Sequence, residues 1–145
     1  MFSRQPEKVY RTELSPVAFL NRSAYVYPNK TAIIHGERCY TYLQFYERVT
    51  RLANRLAGMG VGKHDRVAFL CPNITALLEA HFAIPAIGGI LVAINTRLNT
   101  EEIEYILQHS GARMLFVDRE LSGLVENLQG PEMVIIDDSG LADDP

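Results

Sequence analysis

Gly58-Met59-Gly60-Val61-Gly62-Lys63 is the stretch whose composition comes nearest to a phosphate cradle. A cradle of that kind follows a strand, opens a helix and carries Ser or Thr after the lysine, so that backbone N–H groups and a hydroxyl meet the phosphates and their metal. Here the apolar periodicity predicts a helix before the glycines and a strand after them, and His64 follows Lys63. The stretch therefore reads as a helix stop and a turn into Asp65-Arg66. His35, His64, His81 and His109 include no i,i+4 metal pair, and no Cys-x-x-Cys accompanies them, so turn, surface or core positions account for them. Cys71 ends an apolar run with no base close in sequence and reads as a small packed residue. There is no Gly-x-Ser-x-Gly elbow. Asp137-Asp138 and Asp143-Asp144 carry charge for a cation but read as a solvated linker. Asn95-Thr96-Arg97-Leu98-Asn99 is the strongest ligand candidate. It lies after a strand's carboxyl end and before a helix amino end, where ligands bind in open α/β sheets. Arg97 suits a phosphate, and equally an ion pair with the glutamates of the next helix.

The elements that must position this loop run from Asp65 to Leu107. Val67 to Cys71 is an apolar run stopped by Pro72-Asn73, Ile74 to about Ile87 is apolar with few charges, and Ile90 to Ile94 is rich in β-branched residues. Continuous apolar strands suit a sheet covered on both faces, and two of them around a helix predict a right-handed βαβ crossover. Pro85 is expected to break the helix near its end, and Gly88-Gly89 to let helix and strand backbones approach closely. Asn99 with Glu102 three residues on caps the next helix; Ile103, Ile106 and Leu107 face inward and Gly111 ends it.

Upstream, Ser15 and Pro16 open a helix with Val17, Leu20, Ala24 and Tyr27 near one face, and Pro28 lies beyond its end. Thr31 to His35 and Arg38 to Tyr42 read as a hairpin turning at Gly36-Glu37. Thr41-x-x-Gln44 has capping-box spacing and opens a helix with Phe45, Val49, Leu52 and Leu56 on one stripe, and with Glu47 and Arg51 spaced as a surface pair. Gly58 and Gly60 close it. Downstream, Met114 to Val117 is a strand, Glu120 to Leu128 a weaker helix and Met133 to Ile136 a last strand. Residues 1–13 read as a polar arm and 137–145 as an acidic tail. The order predicts an α/β layered fold with a mostly parallel sheet and alternating helices over 14–136. A sheet ending on a strand keeps an open edge, and the expectation is that the chain is a fragment of a larger domain.

The chain has 145 residues, 48% apolar and 21% charged, ordinary for one globular domain or a piece of one. A net charge of −3 excludes partners that select basic patches, namely nucleic acid and anionic membrane surface. The amino terminus has no apolar h-region, and Phe82 to Ile94 falls short of the ~17–25 residues of a membrane span. Cys39 and Cys71 lack metal or redox spacing. A cytoplasmic, reducing location is expected.

The succession TAIIHGERCYTYLQFYERVTRLANRLAGMGVGKHDRVAFLCPN, then EAHFAIPAIGGILVAINTRLNTEEIEYILQHSGARMLFVD, resembles the N-terminal part of the AMP-forming acyl-CoA synthetases, the adenylate-forming or AMP-binding superfamily. The resemblance is carried by Tyr40-Thr41-Tyr42, Gly60 to Val67, Pro72-Asn73, Gly88-Gly89-Ile90, Asn95 to Leu98, Glu101-Glu102 and Ser110 to Arg113, across about residues 14 to 118. The Asn-Thr-Arg-Leu form is most similar to medium- and long-chain fatty acyl-CoA ligases. The resemblance implies a two-step reaction. A carboxylate attacks the α-phosphate of ATP to give acyl-adenylate and pyrophosphate, and the thiol of coenzyme A then displaces AMP, with Mg²⁺ stabilising the phosphates. It also implies that Asn95, Thr96 and Arg97 lie beside the coenzyme A nucleotide.

The family's Ser/Thr/Gly-rich phosphate loop, its aromatic-x-Thr-Glu and Tyr-x-Thr-Gly-Asp motifs and its lid lysine are not in this sequence. The resemblance therefore implies ATP, Mg²⁺, coenzyme A and a fatty acid or other carboxylate for the full-length relative. For these 145 residues it implies no catalytic residue, no metal, no cofactor and no activity. Two other readings compete: a non-catalytic interaction module that forms a homodimer, and a small flavodoxin-like ligand-binding domain.

Overall fold

The computed structural model describes residues 14–138; the expected arm 1–13 and most of the acidic tail lie outside the described residues. Ser15 Oγ accepts from Ala18 N at 3.1 Å and starts α1 (Pro16–Val26), which buries Leu20 and Ala24, while Tyr27 caps its other end exposed. Strands β1 (Thr31–His35) and β2 (Arg38–Thr41) form an antiparallel hairpin turning at Gly36. Thr41 ends β2 because its side chain and that of Gln44 form the expected capping box, so Tyr42 opens the helix α2 (Tyr42–Gly58) and is not the last residue of the strand. Phe45, Val49, Ala53 and Leu56 are its buried stripe, with Leu52 packed beside them.

The parallel sheet has four strands in the order β4-β3-β5-β6, from β3 (Arg66–Leu70), β4 (Ile90–Ile94), β5 (Met114–Asp118) and β6 (Glu132–Ile136). Helix α3 (Thr75–Ala86) connects β3 to β4, and α4 (Thr100–Ser110) connects β4 to β5. On one face Val67, Phe69, Met114 and Phe116 meet α2 and α3, with the Phe69 and Phe116 rings stacked 4.7 Å apart. On the other face Ala68, Leu70, Leu115 and Val117 meet Ile103 and Leu107 of α4. Helix α1 and the hairpin form an outer layer on α2 and α3 through Leu20, Ile33, Phe45 and Ala83, where Phe45 meets Phe82 edge-on.

Three further expectations change. An apolar strand covered on both faces describes β3 and β5 but not β4, which is an edge strand with Ile90 48% exposed. The helix expected over 120–128 is a 3₁₀ helix, Arg119–Leu124, because Gly123 interrupts a run too short to repay helix nucleation. Cys71 lies one residue beyond β3. The glycines behave as expected. A Cβ on Gly89 would lie 3.3 Å from the Ile84 carbonyl and 3.4 Å from that of Asp65, and Gly88 has φ +79°. Pro85 occupies the last turn of α3, which stops at Ala86.

An ion pair joins α2 to α3. Arg48 of α2 donates from Nε to Glu79 Oε1 of α3, and its guanidinium lies 4.8 Å from the centre of the Tyr40 ring. Glu79 is 6% exposed, so burial pushes its carboxyl above the ordinary value, and the hydrogen bond and charge of Arg48 oppose that rise. A carboxyl with a raised folded-state pKa contributes stability at acid pH that is lost as pH rises through the folded value. Arg48→Met removes what restrains that pKa and strands Glu79. We expect it to destabilise the fold by about 3 kcal/mol at neutral pH, the lower end for a broken buried pair, because Arg48 is itself partly exposed. The deficit should shrink as pH falls toward 4.5, the ordinary value of the group. Urea unfolding across that range measures it, and parallel profiles for the two proteins would remove Glu79 as the cause.

Candidate functional site

The glycine stretch 58–63 is a joint. Gly62 N donates to Asp65 Oδ2 at 2.9 Å, His64 takes φ +70° and donates its N–H to the Gly88 carbonyl, and Gly60 takes φ +82° directly after the α2 cap. Arg66 then reaches the far end of α4, donating from Nε to the Ser110 carbonyl and from Nη2 to the Gly111 carbonyl, each at 2.7 Å. Those carbonyls sit at a helix C-terminus that ends in Gly111 at φ +60°, where a cation meets both the orphan acceptors and the dipole. Arg113 approaches Asp65 at 3.6 Å. These contacts occupy the amino-terminal end of the sheet, opposite the end where ligands bind.

At the carboxyl end, Asn95-Thr96-Arg97 follows β4. Asn95 Oδ1 accepts from Arg97 N at 3.0 Å, which sets the turn, and Asn99 and Glu102 form the expected capping box that opens α4. Asn95 and Arg97 are exposed and Thr96 is half-buried. Among the described residues no carboxylate lies within 4.0 Å of Arg97, so the alternative ion pair with the glutamates of α4 is not formed; Glu102 is held by the cap. Arg97 is thus an exposed cation on a tied loop, with no carboxylate partner among the described residues.

The strand order places a second feature at this end, which the linear reading missed. With β3 followed by β4 on one side and β5 on the other, the connections diverge between β3 and β5, the switch point of an open α/β sheet. A cleft of about 320 Å³ opens there, lined by His35, Pro72, Asp118, Arg119, Asp137 and Asp138. Three of its four carboxylates have partners among the described residues, the exception being Glu120, and the buried Asp138 Oδ1 has charged neighbours but no hydrogen bond. Asp137 pairs with Arg119 at 2.8 Å, Asp138 lies 3.6 Å from Arg38 and 3.7 Å from His35 Nδ1, and Asp118 accepts from Glu120 N. Among the described residues no group of three ligating side chains can hold a metal.

His35 Nδ1 is also 3.1 Å from Thr75 Oγ1. Hydroxyl and carboxylate share one ring nitrogen, so His35 cannot relay a proton between them, and Thr75 is buried. Cys71 is buried too. Desolvation, aided by the charges of Asp118 and Asp138, pushes its thiol up to about 12, so it carries no thiolate near neutral pH and packs as expected. Beside the hairpin, Ile34, Asn73, Leu77, Leu78 and His81 line an apolar groove of about 300 Å³. None of these places assembles a nucleophile, base and anion stabiliser. Among the described residues no helix is long and apolar enough to cross a membrane.

Comparison with known proteins accounts for a scaffold of this kind. A family model described as AMP-binding enzyme matches residues 20–144. The peroxisomal acetate/butyrate–CoA ligase AAE7 of Arabidopsis thaliana is 42% identical over 116 residues, covering 80% of this chain and 20% of that protein. The acetate–CoA ligase CCL3 of Humulus lupulus is 44% identical over 115 residues, covering 79% and 20%. The crystal structure of the anthranilate CoA ligase AuaEII with anthranoyl-AMP superposes with a TM-score of 0.78 at 35% identity, covering 83% of this chain and 24% of that one. The chain thus spans about one fifth of the length of the curated relatives it matches. With the parallel sheet, its alternating helices and the joint at Asp65-Arg66 all in place, the chain belongs to the family of AMP-binding enzymes.

Proposed function

We propose that these residues are the N-terminal scaffold of an ATP-dependent acid–CoA ligase, which converts a carboxylate to an acyl-adenylate and then to a thioester of coenzyme A. The observation that carries this reading is the match of relatives at 42% and 44% identity, both named as CoA ligases, across four fifths of the chain. Other relatives are named for butyrate, benzoate and trans-cinnamate. These names favour a short or aromatic acid over the medium- to long-chain fatty acid suggested by Asn95 to Leu98. Several relatives are peroxisomal by name, so both the cytoplasm and the peroxisome fit this reading.

In this assignment the chain's own contribution is binding and support. Asn95 fixes the turn, and Arg97, which meets no carboxylate among the described residues, meets a phosphate of the coenzyme A nucleotide. A chimera in which residues 14–138 replace the matching stretch of the Humulus ligase tests both levels. It should release pyrophosphate with acetate, ATP and coenzyme A; a folded, inactive chimera would count against the proposed function. Within it, Arg97→Ala should raise the KM for coenzyme A about tenfold, roughly 1.4 kcal/mol, and leave kcat largely unchanged. An unaltered KM would remove Arg97 from the nucleotide site.

The sequence of the 145-residue chain contains no Ser/Thr/Gly-rich phosphate loop, and the chain by itself should release no pyrophosphate from ATP and an acid. Measurable turnover by the purified chain would refute this. The homodimer belongs to the competing reading, a non-catalytic interaction module. Light scattering of the purified chain should give a mass above one copy, and a strict monomer at high concentration would exclude it.

A further inference from the structure

The groove between the hairpin and α3 is the apolar place that the described residues leave open. Ile34 of β1 and Leu77 and Leu78 of α3 line it, with His35, Thr75 and His81 along its length. Ile33 packs into the core with Leu20 and Phe45, and alternation along the strand turns Ile34 outward. Ile34 is therefore 74% exposed, and Leu78 is 40% exposed. Aliphatic side chains that meet water side by side are stabilised by a covering segment. Among the described residues that line the groove none is a carboxylate, so an acidic segment meets no like charge there.

The described residues end at the mouth of this groove. Asp138 Oδ1 lies 3.7 Å from His35 Nδ1 and 3.6 Å from Arg38 Nη1, and His35 and Ile74 line both the cleft at Asp138 and the groove. The sequence beyond Asp138 is Ser139-Gly140, a turn-forming pair, then Leu141-Ala142, then Asp143-Asp144-Pro145. We propose that residues 139–145 lie along the groove as a strap, with Leu141 over Ile34 and Leu78 and the acidic pair toward the exposed ring of His81. Length permits it. Leu141 is within about 10 Å of Asp138, and the whole segment reaches up to roughly 23–25 Å. From Thr75 to His81 the groove follows α3 for only ~9 Å. The stretch that reads as a solvated linker by its charge thus has an apolar half with a place to go.

The 145-residue chain provides the test. Leu141→Asp and Ile34→Asp should each lower its melting temperature by several degrees, and the double variant should fall by clearly less than the sum, because both changes break one contact. Leu141→Met should keep the melting temperature close to that of the unsubstituted chain. Methyl NMR of the unsubstituted chain gives a second reading that needs no variant: the Leu141 methyls should show nuclear Overhauser contacts with Ile34 or Leu78. Additive losses, or the absence of those contacts, overturn the inference. Two other occupants have their own signatures. If light scattering shows that Ile34→Asp lowers the mass in solution and Leu141→Asp does not, a second copy fills the groove and the strap does not. If benzoate or butyrate shifts the Ile34 and Leu78 methyls while Leu141→Asp leaves them in place, the groove is a small-molecule site, and the inference is overturned equally. Turnover by the chimera decides the proposed function separately from all of these.

Discussion

The sheet depends on the placement of Arg66. Its guanidinium closes the C-terminus of α4 through two carbonyls, while its own carbonyl accepts from Arg113 N at 2.8 Å and aligns the start of β5. One residue earlier, the Asp65 carbonyl accepts from Ile90 N and aligns the start of β4, while its side chain holds the turn from Gly62. Two consecutive residues thereby set the entry of three adjacent strands. Because side chains alternate between faces, this alignment decides which apolar residues meet α3 and which meet α4. Gly88 and Gly89 are required for the same reason. The chain leaving α3 passes within van der Waals contact of Asp65 and Lys63, where a side chain would force it away.

This arrangement explains what the family resemblance consists of. Asp65, Arg66, Gly88, Gly89, Ser110, Gly111 and Arg113 carry much of it, and they converge on one end of the sheet as caps, close approaches and a charge clamp. The opposite end, where strands open toward ligands, holds a cleft in which Asp137 and Asp138 meet Arg119, Arg38 and His35, and a loop whose Arg97 meets no carboxylate among the described residues. The joints are constrained by backbone geometry whatever acid is activated, which is why they can mark the family while saying little about the substrate.

Much of the fold was legible because its signals are local. Ser15, Thr41 and Asn99 each cap a helix within three residues, and Gly111 ends one within its own turn, so residue type and spacing were enough. What was missed depends on neighbours distant in sequence. Arg48 and Glu79 are 31 residues apart, and nothing in either helix pattern marks them as partners. The switch-point cleft follows from strand order, which an apolar run does not reveal. The same ignorance made β4 read as doubly covered when it is an edge. For the Arg97 loop, the sequence located the turn and its cap but left the partner of the guanidinium open; the structure removes the ion-pair alternative only.

The strand order also bears on how the chain is made. β3 leaves the ribosome before every strand that pairs with it, yet it ends in the interior of the sheet with Val67 and Leu70 inaccessible to solvent. At about 5–20 residues per second, its first partner follows by on the order of seconds and its second later still. During that interval an uncharged run of Val, Ala, Phe and Leu waits with both edges open, and α2, already synthesised, is the surface available to shelter it. The amphipathic stripe of α2, which packs on this strand in the finished fold, is thus the earliest apolar helix face that the sheet will share to leave the ribosome.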